Sequence, residues 1–313
     1  MSIKEKKTTL GLIDHMKGKG VTFLDCREDE AEQYLKTKND YFRVAAFRKL
    51  FPKYEGGEND GQFLALDFKH LIQLSYVDQS LRALLRSMSL NVEHYEKVAI
   101  LDRISNDPLE NGYSIVSDYK SGLNGDRLEH LNGEIESRSN DIYCGAIIEK
   151  YRDEMPVWAF FEIISFGTFI DFCRFCSDRW NETQLKDTHY ALKKVKSIRN
   201  AAAHGACIIN GFAENDGGAN KTPNLVRIAL GKTRLSKNKR KRWLNNPRMR
   251  DIVTLFYLHS ELVGEGSSKN RARSDLTNFF AEAEVRLSGI PATNQAIAGI
   301  DFMKSLTKEL SLR

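Results

Sequence analysis

From about Leu66 to Ile104, apolar residues return at spacings of three and four, and Leu71, Leu74, Leu81, Leu84 and Leu85 fall on one stripe. That is the helical period, and a stripe held so long commits the chain to packing helices on helices. Asp67 stands just before it, a residue suited to capping a helix N-terminus. Shorter stretches repeat the period. Leu10-Ile13-Met16 forms one, halted near Gly18 and Gly20; Asp29 to Leu35 forms another; Phe42 to Phe51 forms a third, ending before Pro52. Further helices are expected over Leu128–Met155 and over a Phe-rich stretch from Pro156, tolerated in a first helical turn, to about Trp180. Leu185–Cys207, Asp251–Val263, Ser274–Leu287 and Asn294–Leu312 complete the set.

Between these lie segments of turn chemistry. Ser105–Gly125 carries Asn-Asp-Pro, Asn111-Gly112, Gly122 and Asn124-Gly125 and reads as an irregular break. Asn210–Asn224 reads as a polar, Gly-rich loop, Gly264–Arg273 as a polar separator, and Leu225–Leu230 as a short strand or an extended link. No internal repeat is evident, and no alternating β-branched run is long enough to build a sheet. The expected fold is all-α, with an N-terminal helical region over residues 1–60 and a main helical domain over 61–313.

Composition narrows the function classes. The 313 residues are 41% hydrophobic and 28% charged with only 6 Pro, a globular rather than a disordered chain. The five cysteines, Cys26, Cys144, Cys173, Cys176 and Cys207, are too sparse for a disulfide framework. The start, Met1 to Lys7, is charged and is followed by no apolar run, so no signal peptide is expected. The most apolar stretch, Val157–Cys173, contains Glu162 and Asp171 and falls short of the ~20 residues a membrane span requires. The expected location is the cytoplasm, with no membrane partner.

The most informative stretch is Lys194-Val195-Lys196-Ser197-Ile198-Arg199-Asn200-Ala201-Ala202-Ala203-His204. On a helix Arg199 and His204 stand about 140° apart around the axis, so one chain does not stack them. A long Arg side chain closes part of the gap, and a second copy of the helix packed antiparallel would close the rest. Ala201, Ala202 and Ala203 offer the small side chains for such an approach. The chemistry suits RNA cleavage without a metal or cofactor. A His near its ordinary range can take a proton from a ribose 2′-OH or give one to the leaving 5′-oxygen. An Arg fork can hold the non-bridging phosphate oxygens, and Asn200 adds a neutral polar donor. The product would be a 2′,3′-cyclic phosphate, and DNA, lacking the 2′-OH, should be spared. As a bare pattern, though, one Arg-x4-His pair arises readily by chance in a chain with 22 Arg and 7 His. An exposed Arg and a His at a helix C-terminus are its ordinary explanation.

The second feature is charge. The formal net charge is +5 and the pI about 8.8. Residues 232–250 hold Lys232, Arg234, Lys237, Lys239, Arg240, Lys241, Arg242, Arg248 and Arg250, more positive charge than the chain's net, so the remainder is slightly acidic. Such asymmetry favours a nucleic-acid surface. Lys237, Lys239, Arg240, Lys241 and Arg242 are the candidate phosphate contacts, with Trp243 among them to stack on a base. A solvated charged loop is the plain alternative.

Other constellations carry less. Cys173-x2-Cys176 has the spacing of half a zinc site but no second pair, and reads as two core thiols. Gly264-Glu265-Gly266-Ser267-Ser268-Lys269 lacks the residue order of a phosphate loop. His15, His70, His94, His130, His189 and His259 show no metal-ligand spacing, so no metal is expected. Ser165-Phe166-Gly167 lacks the glycine pattern and strand of a nucleophile elbow.

Several blocks together resemble the Abi-like family, the AbiD/AbiF abortive-infection proteins of bacteria. They are Gly11-Leu12-Ile13 through Lys17-Gly18-Lys19-Gly20 with the Ala31-x3-Leu35 helix; Asn39-Asp40-Tyr41-Phe42-Arg43, close to the family's Asn-Tyr-Tyr-Arg; and Leu74 to Arg82 with its Tyr76, Asp78 and Arg82. Pro156-Val157-Trp158 and Ser165-Phe166-Gly167-Thr168 follow, then Arg199-Asn200-x3-His204 with Asn210 downstream. Their order and spacing hold over roughly residues 8 to 290. The resemblance implies a HEPN-like helical bundle with an N-terminal extension, and a nuclease centre built by a homodimer around Arg199, Asn200 and His204. It also implies a toxin role in phage defence and a structured non-coding RNA as a partner. Arg43 becomes a candidate RNA contact. Asp78 and Arg82, four apart, allow either a helix-surface ion pair or a buried structural one. The chain departs from the family in placing Gly205 after the motif His and Asp-Tyr-Phe at residues 40–42.

Two functional expectations follow. One is a metal-independent endoribonuclease acting as an anti-phage toxin. The other is a non-cleaving RNA-binding protein that holds a structured or antitoxin RNA through its basic segment.

Overall fold

A computed structural model describes residues 5–312, and its spine is α4, Phe68–Asn106. At 1.5 Å per residue the 39 residues reach about 58 Å. Asp67 caps α4, its side chain accepting the Lys69 N–H at 2.8 Å while its own N–H donates to His70 Nδ1 at 3.2 Å. The stripe buries Leu71, Leu74, Val77, Leu81, Leu85, Met88 and Val92, extending through Glu96 and Ile100 to Ile104.

Around this spine the chain is all-α, as expected, and no β-strand occurs among the described residues. Ahead of α4 lie α1 (Thr9–Lys17), α2 (Glu28–Thr37), α3 (Tyr41–Ala46) and a 3-10 turn, Phe47–Leu50. After it come α5 (Ser114–Ser121), α6 (Gly125–Glu136), α7 (Gly145–Lys150), α8 (Val157–Ile163), α9 (Phe166–Arg179) and α10 (Thr183–Ala203). The chain closes with α11 (Asn224–Gly231), α12 (Lys237–Leu244), α13 (Pro247–Leu262), α14 (Ser267–Arg286) and α15 (Gln295–Glu309). The most embedded helix is α10, which packs on α9, α13 and α4 together; α13 and α14 also line α4. Its buried residues Leu185, His189, Leu192, Val195, Ile198 and Ala202 follow the helical period.

The apolar side chains of α1–α3 join the same core as the later helices. Phe23 stacks on Phe68 and Tyr34 meets Phe68 edge-on. On the far side Phe161, Phe169 and Phe172 pack edge-to-face at about 5 Å between ring centres. Cys173 and Cys176 lie buried beside them as free thiols, and burial pushes both upward in pKa.

Several segments differ from the sequence expectation. Leu128–Met155 is not one helix but α6 and α7, parted by residues 137–144, and α14 begins at Ser267, inside the expected separator Gly264–Arg273. Ser105–Gly125 is not wholly irregular: α5 forms within it and sets Tyr119 against Phe172. Leu225–Leu230 is neither strand nor extended link but part of α11, burying Val226 and Leu230 four apart. The Phe-rich stretch is two helices, because Ile164 and Ser165 are extended and the Ser165 hydroxyl caps α9 by accepting the Thr168 N–H at 3.3 Å. Glu134 of α6 secures that break, accepting the Ser165 N–H and the Thr168 hydroxyl, the latter at 2.6 Å. No described helix is long and apolar enough to cross a membrane.

Candidate active site

The motif helix ends at its histidine. His204 is the C-cap of α10 rather than a residue within a helix running on to Cys207. Gly205 follows at φ +69°, its N–H donating to Ala202 O at 3.3 Å, and the Ala206 N–H donates to Ala201 O at 2.9 Å. These two bonds make a Schellman turn, which calls for a residue in the left-handed region and hence glycine. The departure after the motif His is therefore a requirement of this turn.

The chain beyond the turn is clamped from both sides. Asp78 of α4, fully buried, accepts the N–H groups of Ile208 and Ile209 at 2.7 and 2.8 Å and also pairs with Arg82. Burial raises the Asp78 carboxyl above its usual range; the two N–H donors and the guanidiniums of Arg82 and Arg248 oppose that. On the opposite side Arg248 donates to Cys207 O at 2.5 Å, to Ile208 O at 3.0 Å and to the Asn210 side chain. Asn246 adds a bond to Gly211 O at 2.7 Å. The donors and acceptors of residues 207–211 are thus held by side chains from α4, α13 and the residue before α13.

At this fixed end the imidazole of His204 is exposed and has no hydrogen-bond partner among the described residues. Asn200, one turn earlier, accepts the His204 N–H through its carbonyl. Its side chain accepts from Arg199 Nη1 at 3.2 Å. Arg199 is about one-third exposed and also lies 3.9 Å from Glu93, which pairs with Lys97. Within one chain no bond joins Arg199 to His204.

Arg43 reaches the same place from α3. Its guanidinium covers Gly205, where an added Cβ would meet Nη2 at 2.6 Å and Nη1 at 3.2 Å. Its carbonyl oxygen lies 4.0 Å from Cys207 Sγ, and its N–H is held by the capping Asp40 at 3.0 Å. The fold therefore gathers Arg43, Asp78, Arg82, Arg199, Asn200, His204 and Asn210 around one helix end.

That clustering has a counterpart in comparison. A family model for Abi-like proteins matches residues 33–210, more than half of the chain, beginning within α2 and ending at the clamped loop. The chain belongs to the Abi-like protein family. No curated protein and no solved structure matches it. The matched span holds every residue of that cluster, while Arg248 and the rest of the basic segment lie outside it.

The structure divides that basic segment. Trp243 is only 3% exposed, stacked on Phe302 and edge-on to Phe212. It is a core residue and has no free face for a base, which corrects the expectation for it. Arg250 is buried against Asp216 at 2.8 Å, and Arg240 donates to Leu230 O at 2.5 Å. Lys239 reaches Ser305 at 3.4 Å, and the exposed Arg242 donates to Gln295 at 2.7 Å while its guanidinium covers Trp243. Lys237 and Lys241 are exposed and their ammonium groups have no partner among the described residues, so they are the cations of α12 most available to phosphate. Asp78 and Arg248 are the residues that sequence reasoning undervalued. Asp78 stands in a family block, but its partners lie 130 residues away.

Proposed function

We propose that this Abi-like protein is a HEPN-type endoribonuclease that acts without a metal and serves as an abortive-infection toxin. The observation that carries the reading is the unpartnered, exposed imidazole of His204 on a clamped helix end, with the Arg43 guanidinium over the adjacent Gly205 and Arg199 five residues earlier on the same helix. His204 serves as general base toward the 2′-OH and then as general acid toward the 5′-oxygen. Arg199 stabilises the phosphorane charge, Asn200 holds Arg199 in place, and Arg43 binds a flanking phosphate. The missing Arg199–His204 approach is supplied by a homodimer, in which a second copy's α10 packs against the exposed Ala203 and half-buried Ala201 at the helix end. Membership of the Abi-like family supports the role in phage defence.

The test is cleavage of total bacterial RNA in EDTA by the wild type and by His204→Ala, with end-group analysis. Cutting by the wild type alone, leaving 2′,3′-cyclic phosphates, is the expected result. Cleavage that survives His204→Ala would sink the reading. The exposed Lys237 and Lys241 favour a second reading, an RNA-holding protein that does not cut, with a structured RNA as its partner. Salt-sensitive RNA binding that is lost in Lys237→Ala/Lys241→Ala and indifferent to His204→Ala would favour it.

A further inference from the structure

Phe42 is 84% exposed, although it sits in a helix whose neighbouring residues are engaged. A lone exposed apolar side chain is ordinary and needs no purpose. Its position is what sets Phe42 apart. The next residue is Arg43, whose guanidinium lies over Gly205, the residue after His204. The carbonyl of that same Arg43 is 4.0 Å from Cys207 Sγ. One Cα step of about 3.8 Å therefore separates Phe42 from a residue in contact with the candidate catalytic turn.

The platform is fixed. Asp40 caps α3, Val44 and Ala45 are buried behind it, and Phe47 anchors the following turn. Tyr41, the other aromatic of the block, is partly buried with Arg48 5.7 Å from its ring centre, so Phe42 is the ring left facing solvent. Other exposed aromatics are placed differently: Tyr190 lies fourteen residues before His204 on α10, about 21 Å along the helix. With Trp243 buried, the segment chosen from sequence for stacking supplies no base-sized face.

An exposed ring one residue from a cation that covers the turn after a candidate proton-transfer group offers the two elements that bind single-stranded nucleic acid. The cation holds phosphate and the ring takes an unstacked base. We infer that Phe42 is a base-stacking platform for one unpaired nucleotide flanking the phosphate held by Arg43, so that the site takes single-stranded RNA and not duplex. The inference rests on the RNA-binding part of the proposed function. In a duplex the bases are stacked on one another and cannot lie on the ring, so loops and single strands are the substrate class.

The test uses the full-length protein and a single-stranded oligonucleotide of about a dozen nucleotides. The probe carries 2′-O-methyl riboses, so 2′-OH attack is impossible, and 2-aminopurine, whose fluorescence falls on stacking. Phe42→Leu keeps apolar bulk without a ring face, and Phe42→Tyr keeps the ring. The expected result is quenching by the wild type and Phe42→Tyr, loss of quenching in Phe42→Leu, and an affinity loss in Phe42→Leu of about 5- to 150-fold. The matched hairpin stem should bind the wild type and Phe42→Leu equally. Equal quenching and affinity for Phe42→Leu would overturn the inference, as would a Phe42→Leu change in mass by light scattering with binding unchanged, which would place the ring under a second copy. Because the probe cannot be cut, ring-dependent quenching by a protein that cleaves nothing would uphold this inference while refuting the nuclease, and cleavage with ring-independent binding would do the reverse.

Discussion

Asp78 offers the sharpest test of how the site is built. Replacing it with Ala leaves the Ile208 and Ile209 N–H groups without acceptors inside the protein, and each unsatisfied buried donor costs about 1–3 kcal/mol. It also strands Arg82, whose side chain is 15% exposed, and breaking such a pair costs about 3–5 kcal/mol. These effects share partners and do not add, so Asp78→Ala should lose on the order of 4–6 kcal/mol, enough to unfold a domain of ordinary stability. Asp78→Asn is the informative variant. Its Oδ1 can still accept from the backbone, but the charge is gone and an amide NH₂ faces the Arg82 guanidinium. A loss of about 1–3 kcal/mol is expected, with the fold retained. Because the clamp fixes the chain just past His204, Asp78→Asn should also lower kcat for RNA cleavage by about 10- to 100-fold with little change in KM. The assay is urea denaturation followed by circular dichroism, beside cleavage kinetics on the same preparations. A variant within about 0.5 kcal/mol of the wild type would refute the clamp. A destabilised variant with unchanged kcat would show that the clamp serves stability and leaves His204 alone.

Gly205→Ala should destabilise by about 1–2 kcal/mol through left-handed strain. It should also weaken RNA binding by displacing Arg43, and retention of both stability and affinity would contradict the packing at the turn. Burial raises Glu96 to about 7, so the folded chain holds that proton more tightly than the unfolded one. Wild-type stability should therefore fall as pH rises from the ordinary carboxylate range through about 7; Glu96→Gln should equal the wild type near pH 3.5 and exceed it by about 3 kcal/mol near pH 8.5 in urea melts, and equal stability at both pH values would disprove a buried acid there. Trp243→Ala should cost about 3–5 kcal/mol of stability as a core truncation, measurable by thermal melting, and a stable variant with weakened RNA binding would return Trp243 to the surface role. Lys237→Ala and Lys241→Ala should each lower the slope of log affinity against log salt by about 1, and an unchanged slope would remove α12 from the RNA surface.

How much of this was legible in the sequence depended on whether the deciding interactions were local. The stripe of α4 and its Asp67 cap were read correctly because both are set within one helical turn of their own residues. The apolar period carries α10 four residues too far, to Cys207, although Gly205 holds the signal: glycine just past a helical run is the usual left-handed stop. Leu225–Leu230 was ambiguous in principle, since six mainly apolar residues fit periods of two and 3.6 alike, and burial of Val226 and Leu230 against the bundle decided it. The helix α5 was hidden because Ile115, Val116 and Tyr119 sit among turn residues, and only the Phe-rich core gives them something to bury against. Trp243 misleads in the sequence because cations surround it there, while a helix separates them in space, turning Trp243 inward and Lys237 and Lys241 outward.

The site follows the same logic. Arg199, Asn200 and His204 lie on a single stretch at the end of α10 and are singled out by their spacing only together with the family resemblance. What fixes that stretch could not be found by spacing, because Asp78 acts on a backbone 130 residues away and Arg43 covers a glycine 162 residues on. Tyr41–Arg43, Asp78–Arg82 and Arg199–Asn210 are one object in space, joined by hydrogen bonds and contacts rather than by adjacency. A change in any block should then be felt at His204, whereas changes in the connecting helices α5 to α7 should be felt only as stability. The N-terminal helices contribute to the candidate site, since α3 supplies the cation that covers the turn after His204. Removing residues before Asp67 would therefore be expected to abolish RNA binding as well as to expose the faces of Phe68 and Leu71.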